Sequence, residues 1–317
     1  MTANNGDSAT ILKLTPSLHE RIWGGSRIGV IKNNSCQTSF PNKIGESWEV
    51  SIRPEGPSYY KDIPLFQLAN ERQVPYLIKL LHSTEYLSVQ VHPDDKYAGE
   101  HENSKGKTEC WLILECDSGS GIYLGVKPGV APEKFFEVAQ NSGDLTAYLN
   151  YYPVTRGDFF FVPAGTVHAI GKNILLVEVQ QSAGLTYRIW DWNRVDSCGK
   201  ARELHIEKAK QVVEFAPLKN NDAYFSRKKM VLDQKELKLI SHPDFNLMTL
   251  AFAAGEKRTL HVGKDDRYAC IFSTQGVYEI CVGDEKEILN SFESIILTRM
   301  CQVQITAKEK GNLLITQ

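Results

Sequence analysis

The chain has 317 residues, 42% of them hydrophobic and 23% charged, which is apolar material for about two domains and too much for a disordered polymer. Its 36 Lys and Arg nearly balance 38 Asp and Glu, and a net charge of −2 offers neither a basic footprint for nucleic acid nor an acidic tail. Met1–Thr10 is polar, and no run reaches the roughly 18 apolar residues of a membrane span, so a cytoplasmic protein without nucleic-acid or membrane partners is expected.

Aromatic residues make up 10% of the chain, which favours a β-rich architecture. Most segments read as short strands of period two. Tyr76–Leu81 and Leu87–His92 flank His82-Ser83-Thr84-Glu85, which predicts a hairpin loop. The strands Trp111–Glu115, Gly157–Val162 and Ile174–Gln180 follow. Pro132–Gln140 predicts a helix with proline at its start, and Gly129–Asn150 around it predicts a small helical insertion. Glu203–Phe215 carries Leu204, Ile206, Ala209, Val212 and Val213 at helical spacing. This helix gives way to Pro217 and the polar Lys219-Asn220-Asn221-Asp222, which predicts a boundary between a unit 1–216 and a unit 217–317. Beyond it, strands return, with turns at Ala254-Gly255, Gln275-Gly276 and Gly283-Asp284. Strands at such spacing predict barrels or jelly rolls joined by a helical connection. The seven cysteines (Cys36, Cys110, Cys116, Cys198, Cys270, Cys281, Cys301) are scattered without a C-x-x-C pair and read as reduced thiols.

Four stretches carry chemistry. In Leu87–Asp95 (LSVQVHPDD), Gln90 and His92 share one strand face and Val89 and Val91 the other. Two ligand-type side chains backed by valines suit a metal at a barrel mouth, although a hydrogen-bonded polar face fits the same pattern. In Gly106–Trp111, Glu109 opens a strand and supplies a carboxylate, with Lys107 on the same face. In Gly157–His168 the spacing G-x5-P-x-G-x2-H is more specific: it resembles the second motif of cupin barrels, whose turn aims its histidine inward at a metal. Gln90, His92, Glu109 and His168 then form a two-His, one-carboxylate, one-amide set suited to one divalent metal, Zn²⁺, Mn²⁺, Fe²⁺ or Co²⁺ alike, with room left for substrate. Last, Ile174–Arg194 ends in an aromatic–arginine run in which Arg188, Trp190 and Trp192 share a parity. Arg188 is a candidate for binding phosphate or a developing oxyanion; cation–π stacking on the tryptophans is the plainer reading.

Taken together, Trp23-Gly24-Gly25, Gly45–Ser51 (GESWEVS), LSVQVHPDD, Lys107-Thr108-Glu109, Pro163–His168 and Thr186-Tyr187-Arg188 resemble the short bacterial form of the type I mannose-6-phosphate isomerases. The resemblance covers about Trp23 to Arg194. It implies two cupin-type (jelly-roll) barrels and zinc-dependent interconversion of mannose 6-phosphate and fructose 6-phosphate. It also implies Gln90, His92, Glu109 and His168 as metal ligands, Lys79, Lys107 and Arg188 as substrate-binding, and Lys107 and Arg188 as catalytic. An aspartate that related chains carry before the Thr-Tyr-Arg triplet is missing here, where Ser182-Ala183-Gly184-Leu185 stands. Lys107, its pKa lowered by the nearby metal and Arg188, is then a candidate base, with Glu178, a metal-bound hydroxide and Glu46 as rivals. The second unit keeps a trace of the first cupin motif at Gly255–His261 without a second, and is expected to lack metal. Rival readings are another metal-dependent cupin enzyme, such as a different sugar-phosphate isomerase or an Fe²⁺ oxygenase, or a sugar-binding cupin without catalysis. Nothing in the sequence decides between monomer and homodimer.

Overall fold

The computed structural model describes residues 10–33, 43–195 and 198–317. The fold is mainly β, as expected, and the backbone divides into two units. The terminal unit comprises the chain up to Ser17, Trp48–Leu77 and Val231–Gln317; the central unit comprises Leu18–Ser47 and Ile78–Met230. This differs from a single cut near residue 216, and the reason is long-range pairing. Ile11–Thr15 pairs antiparallel with Ser294–Leu297, in a register that sets Ile11 opposite Leu297. No local periodicity reveals such a partner. At the other end, Phe159 N donates to Lys228 O at 2.8 Å and Phe161 N to Phe225 O at 2.7 Å. These bonds tie the chain after the expected boundary to the edge strand Phe159–Val162 of the central unit.

The terminal unit has an eight-stranded and a four-stranded sheet. Both turn side chains into one cluster that includes Leu250, Ile271, Tyr278, Ile295, Val303 and Ile315. Its interior is hydrocarbon.

The central unit has a five-stranded sheet in the order Leu149–Pro153, Gly121–Val126, His168–Ile170, Val89–Val91, Tyr187–Trp190. Its six-stranded sheet runs Phe159–Val162, Glu109–Cys116, Ile174–Gln181, Tyr76–Ser83, Ile44–Val50, Ser17–Gly25, and the unit boundaries fall inside three of these strands. The two sheets share Trp111, Ile113, Ile122, Leu124, Phe160 and Leu176 in one buried cluster. On its other face the five-stranded sheet packs Val89, Val91 and Ile189 against Phe135, Phe136 and Ala139 of the helix Pro132–Gln140. That helix occupies the expected residues, with proline where a missing N–H costs nothing.

Three local expectations are corrected. Tyr76–Ser83 and Val89–Val91 lie in different sheets, so the residues between them are a crossing and not a hairpin loop. Their backbone groups bond elsewhere: Thr84 N donates to Trp23 O at 2.8 Å, and Leu87 N to Ile170 O at 2.9 Å. The helix expected over Glu203–Phe215 is confined to Ile206–Lys210. It is pinned on both sides, by His205 N donating to Arg188 O and Glu214 N to Gly165 O. The insertion ends earlier than Asn150, because Leu149–Pro153 is a strand paired with Gly121–Val126.

Candidate metal centre

Strand register assembles the site. In the five-stranded sheet His168 is directly opposite Gln90, and Gln90 is directly opposite Arg188. Opposed residues send their side chains to the same face, so His168, Gln90 and Arg188 form one row. In the six-stranded sheet Glu109 is opposite Gln180 on one side and Val162 on the other. One level deeper, Trp111 is opposite Glu178 and Phe160. The interior therefore changes from polar to apolar along its length, with Glu109 at the polar end.

Two turns place the histidines. His92 follows the last residue of Val89–Val91, and its carbonyl accepts from Gly165 N at 2.8 Å. Gly165 has φ +85°, a left-handed conformation that glycine adopts without strain. Thr166 N donates to Pro163 O at 3.2 Å, closing the turn that delivers His168.

The side chains converge. His92 Nε2 lies 3.4 Å from Glu109 Oε2, and His168 Nε2 lies 3.4 Å from Glu109 Oε1. Their ligating atoms all fall within 4.8 Å of one another. Each imidazole meets a backbone carbonyl through Nδ1: His92 at Leu185 O (2.8 Å) and His168 at Thr166 O (2.9 Å). Those acceptors require the Nδ1–H tautomer, which leaves each Nε2 lone pair facing inward. Burial above all, reinforced by the Lys107 ammonium, pushes His92 down to about 3. Burial likewise lowers His168, against the pull of Glu109. For Glu109, burial favours the neutral acid, but Lys107 and the two histidines outweigh it and hold the carboxyl well below its usual range. Neutral imidazoles around an ionised carboxylate are the protonation states that metal binding demands. Oε1 of this buried carboxylate receives no hydrogen bond, and Oε2 faces the Lys107 ammonium at 2.9 Å. A buried carboxylate oxygen left without a donor is costly, and a divalent cation would satisfy it. The donor set fits the metal.

Gln90 belongs to the cluster, with its Nε2 3.3 Å from His168 Nε2. Lys107 reaches it too, 2.9 Å from Glu109 Oε2 and 3.0 Å from His92 Nε2. Its pKa moves opposite to the expectation. Burial lowers it, but Glu109 and Glu178 outweigh burial and raise it. Lys107 is thus a cation held beside the carboxylate, with N–H groups to donate there. Lys79 points into the same interior, yet its ammonium is committed to Glu178 Oε1 at 3.0 Å. Glu178 Oε2 also accepts from Trp111 Nε1 at 3.3 Å, and the Trp111 ring packs edge-on against His168. Glu46, the other rival base, is gripped by both ends of the Arg21 guanidinium.

Arg188 lines a cleft of about 990 Å³ together with Arg21, Lys43, Arg194, Lys200 and Arg202. Its Nη1 donates to Glu203 O at 2.7 Å, while its buried Nε has no partner. The shared parity of Arg188, Trp190 and Trp192 fails. A bulge between Arg188 and Trp190 turns Trp190 to the opposite face, into the cluster with Val89 and Ile189. Trp192 instead stacks on Tyr86 at 4.3 Å. Asp191 bridges Arg194 and Arg202, one carboxylate between two guanidiniums. Sequence reasoning missed these cleft cations, because Arg21, Lys43 and Arg202 stand in segments with no motif to connect them.

Residues 11–110 match the family model described as phosphomannose isomerase type I, catalytic domain. The chain is 35% identical over 303 residues to a mannose-6-phosphate isomerase of Streptococcus mutans, covering 90% of this chain and 92% of that one. It is 38% identical over 215 residues to the mannose-6-phosphate isomerase ManA of Bacillus subtilis, covering 63% and 66%. Among solved structures, a mannose 6-phosphate isomerase from Bacillus subtilis superposes with a TM-score of 0.80 at 28% identity, over 98% of this chain and 100% of that one. A zinc-bound mannose 6-phosphate isomerase gives a TM-score of 0.74 at 15% identity, over 97% and 99%, a likeness of fold alone.

Proposed function

We infer the chemistry of the site from one premise: this chain belongs to the type I phosphomannose isomerase family. It is a metal-dependent aldose–ketose isomerase that interconverts mannose 6-phosphate and fructose 6-phosphate through an enediol. The ion is zinc, one per chain, held by His92, Glu109 and His168 with Gln90 as fourth donor. When bound, it supplies Lewis-acid polarisation of a substrate oxygen.

The remaining roles fall to the chain's own residues. Lys107 presents cationic N–H donors beside His92 and Glu109, where the oxygen of the enediolate gains charge. Arg188 takes the phosphate. Its row with Gln90 and His168 spans two strand spacings, about 10 Å, which matches a six-carbon chain whose first carbons react at one end while the phosphate rests at the other. The guanidinium fork suits a phosphate, and the cations around Arg188 add to the attraction. Lys79 acts one step back, holding Glu178 behind Trp111 and His168. No helix among the described residues is long and apolar enough to cross a membrane.

The observation that carries this reading is the buried Glu109 carboxylate, its Oε1 without a donor, flanked by two inward-facing imidazole nitrogens. A coupled isomerase assay on mannose 6-phosphate, before and after chelation and again after zinc is returned, tests it. Activity should vanish with the metal and return with it. Full turnover by protein shown to be metal-free would refute the reading.

A further inference from the structure

Lys107 lies just outside the strand Glu109–Cys116, so no sheet pairing fixes its backbone. Three consecutive N–H groups around it are nevertheless tied down. Gly106 N donates to Asp95 Oδ1 at 2.8 Å, Lys107 N to Pro93 O at 3.0 Å, and Thr108 N to Gln181 Oε1 at 2.8 Å. The outer two ties meet in one side chain. Gln181 Nε2 donates to both Asp95 oxygens, at 3.1 and 3.2 Å, while its Oε1 holds Thr108. Gln181 N also donates to Thr108 O at 3.0 Å. At 2% exposure the Gln181 amide is shielded from competing water. Gly106 lies so close to the Asp94–Asp95 backbone that an added Cβ would come within 2.4 Å of it, and the contact admits no other residue.

We propose that Gln181 is a positioning residue for Lys107. Its amide, with Asp95, is a two-ended clasp on Gly106 and Thr108 that sets Lys107 Nζ at the distances measured to His92 and Glu109. The inference rests on the catalytic reading of Lys107 given above. Nothing in it requires Gln181 to touch substrate. The polarity of the clasp is fixed, because Oε1 must accept from a backbone N–H while Nε2 must donate to a carboxylate.

That polarity supplies the test. Gln181→Glu keeps an acceptor for Thr108 N but sets a carboxylate against Asp95. Because misplacing a catalytic group by about 1 Å costs on the order of 10²-fold, kcat should fall about 10- to 100-fold. The KM for mannose 6-phosphate should stay within about twofold, since ground-state binding is untouched, and zinc per chain should not change. Adding Asp95→Asn returns a donor to the far side of the clasp, and the double variant should recover to within about threefold of the parent. A Gln181→Glu variant with kcat within about twofold of the parent overturns the proposal. So does a fall in kcat that tracks zinc loss, or one that Asp95→Asn fails to rescue. Lys107→Met, assayed alongside, separates the two claims. If it turns over normally, the reading of Lys107 fails; if it is inactive while Gln181→Glu is normal, only the clasp fails.

Discussion

Lys79 provides the sharpest discrimination between two roles for one residue. The family resemblance makes it a substrate-binding cation, whereas its geometry makes it the counter-ion of Glu178. The pair is 3.0 Å apart, with side-chain exposures of 10% and 5%. At an effective dielectric of about 20, two charges at that distance attract by roughly 5–6 kcal/mol, and desolvation cancels part of this. Lys79→Met keeps the aliphatic stem and removes only the charge. Glu178 is then left buried with a single donor, Trp111 Nε1. Breaking a buried pair from one side costs about 3–5 kcal/mol. At roughly 2–4 °C per kcal/mol for chains of this order of size, the melting temperature should drop by about 6–20 °C. Glu178→Gln added to Lys79→Met removes the stranded charge and should regain most of that loss, since deleting both partners leaves nothing unpaired. Calorimetry on the two single variants and the double variant measures the stability, and steady-state kinetics on mannose 6-phosphate measures the KM. An unchanged melting temperature together with a sharply raised KM would refute the counter-ion role and restore Lys79 to the substrate.

Three further outcomes are expected. His168→Ala should lose metal and activity together, read by elemental analysis and the coupled assay; full metal occupancy would remove His168 from the ligand set. Arg188→Lys keeps a charge but not a planar fork, so kcat/KM should fall about 10²-fold, and near-normal values would reduce Arg188 to a packing residue. Asp191 has its carboxyl held below the usual range: burial opposes this, but hydrogen bonds from Arg202 and Arg194 prevail. A group whose folded pKa is depressed lends stability above its unfolded value, about 3.9, and loses it as pH falls through the folded value. The urea-midpoint gap between the parent and Asp191→Asn should therefore be wide near pH 7 and narrow as pH falls below the unfolded value of about 3.9. A gap that stays constant would rule out the carboxylate as its source.

Local spacing made most of the site legible. Gln90 and His92 share a parity because strand side chains alternate, and the Pro-x-Gly turn before His168 could be read because proline and glycine each permit few conformations. Strand registers were not legible. That Gln180 faces Glu109 and Arg188 faces Gln90 depends on pairing between distant segments, as does the return of Ile11–Thr15 to Ser294–Leu297. The bulge that separates Arg188 from Trp190 shows how one extra residue inverts a face that parity alone assigns. The direction of the Lys107 pKa was misjudged for a related reason. Glu109, two residues along the chain, and Glu178, brought in by strand pairing, together outweigh burial.

The same alternation explains why the trace of a motif at Gly255–His261 does not recreate the centre. In the strand Lys257–Val262 the buried or half-buried residues are Arg258, Leu260 and Val262, and the exposed ones are Lys257, Thr259 and His261. His261 therefore stands on the outer parity, and Leu260 and Val262 contribute to the apolar cluster in its place. Moving a histidine inward would take a one-residue shift of register, which would drive the strand's whole apolar set into solvent. Burying apolar side chains contributes about 1.5–3 kcal/mol each, far more than a solitary imidazole could return without a carboxylate and a second histidine to share an ion. In the central unit the polar end is tolerated because His92, Glu109 and His168 arrive together, each satisfied by a carbonyl, an ammonium or one another. Metal chemistry in this chain thus depends on several inward parities being polar at once, and a single remnant residue has no route to it.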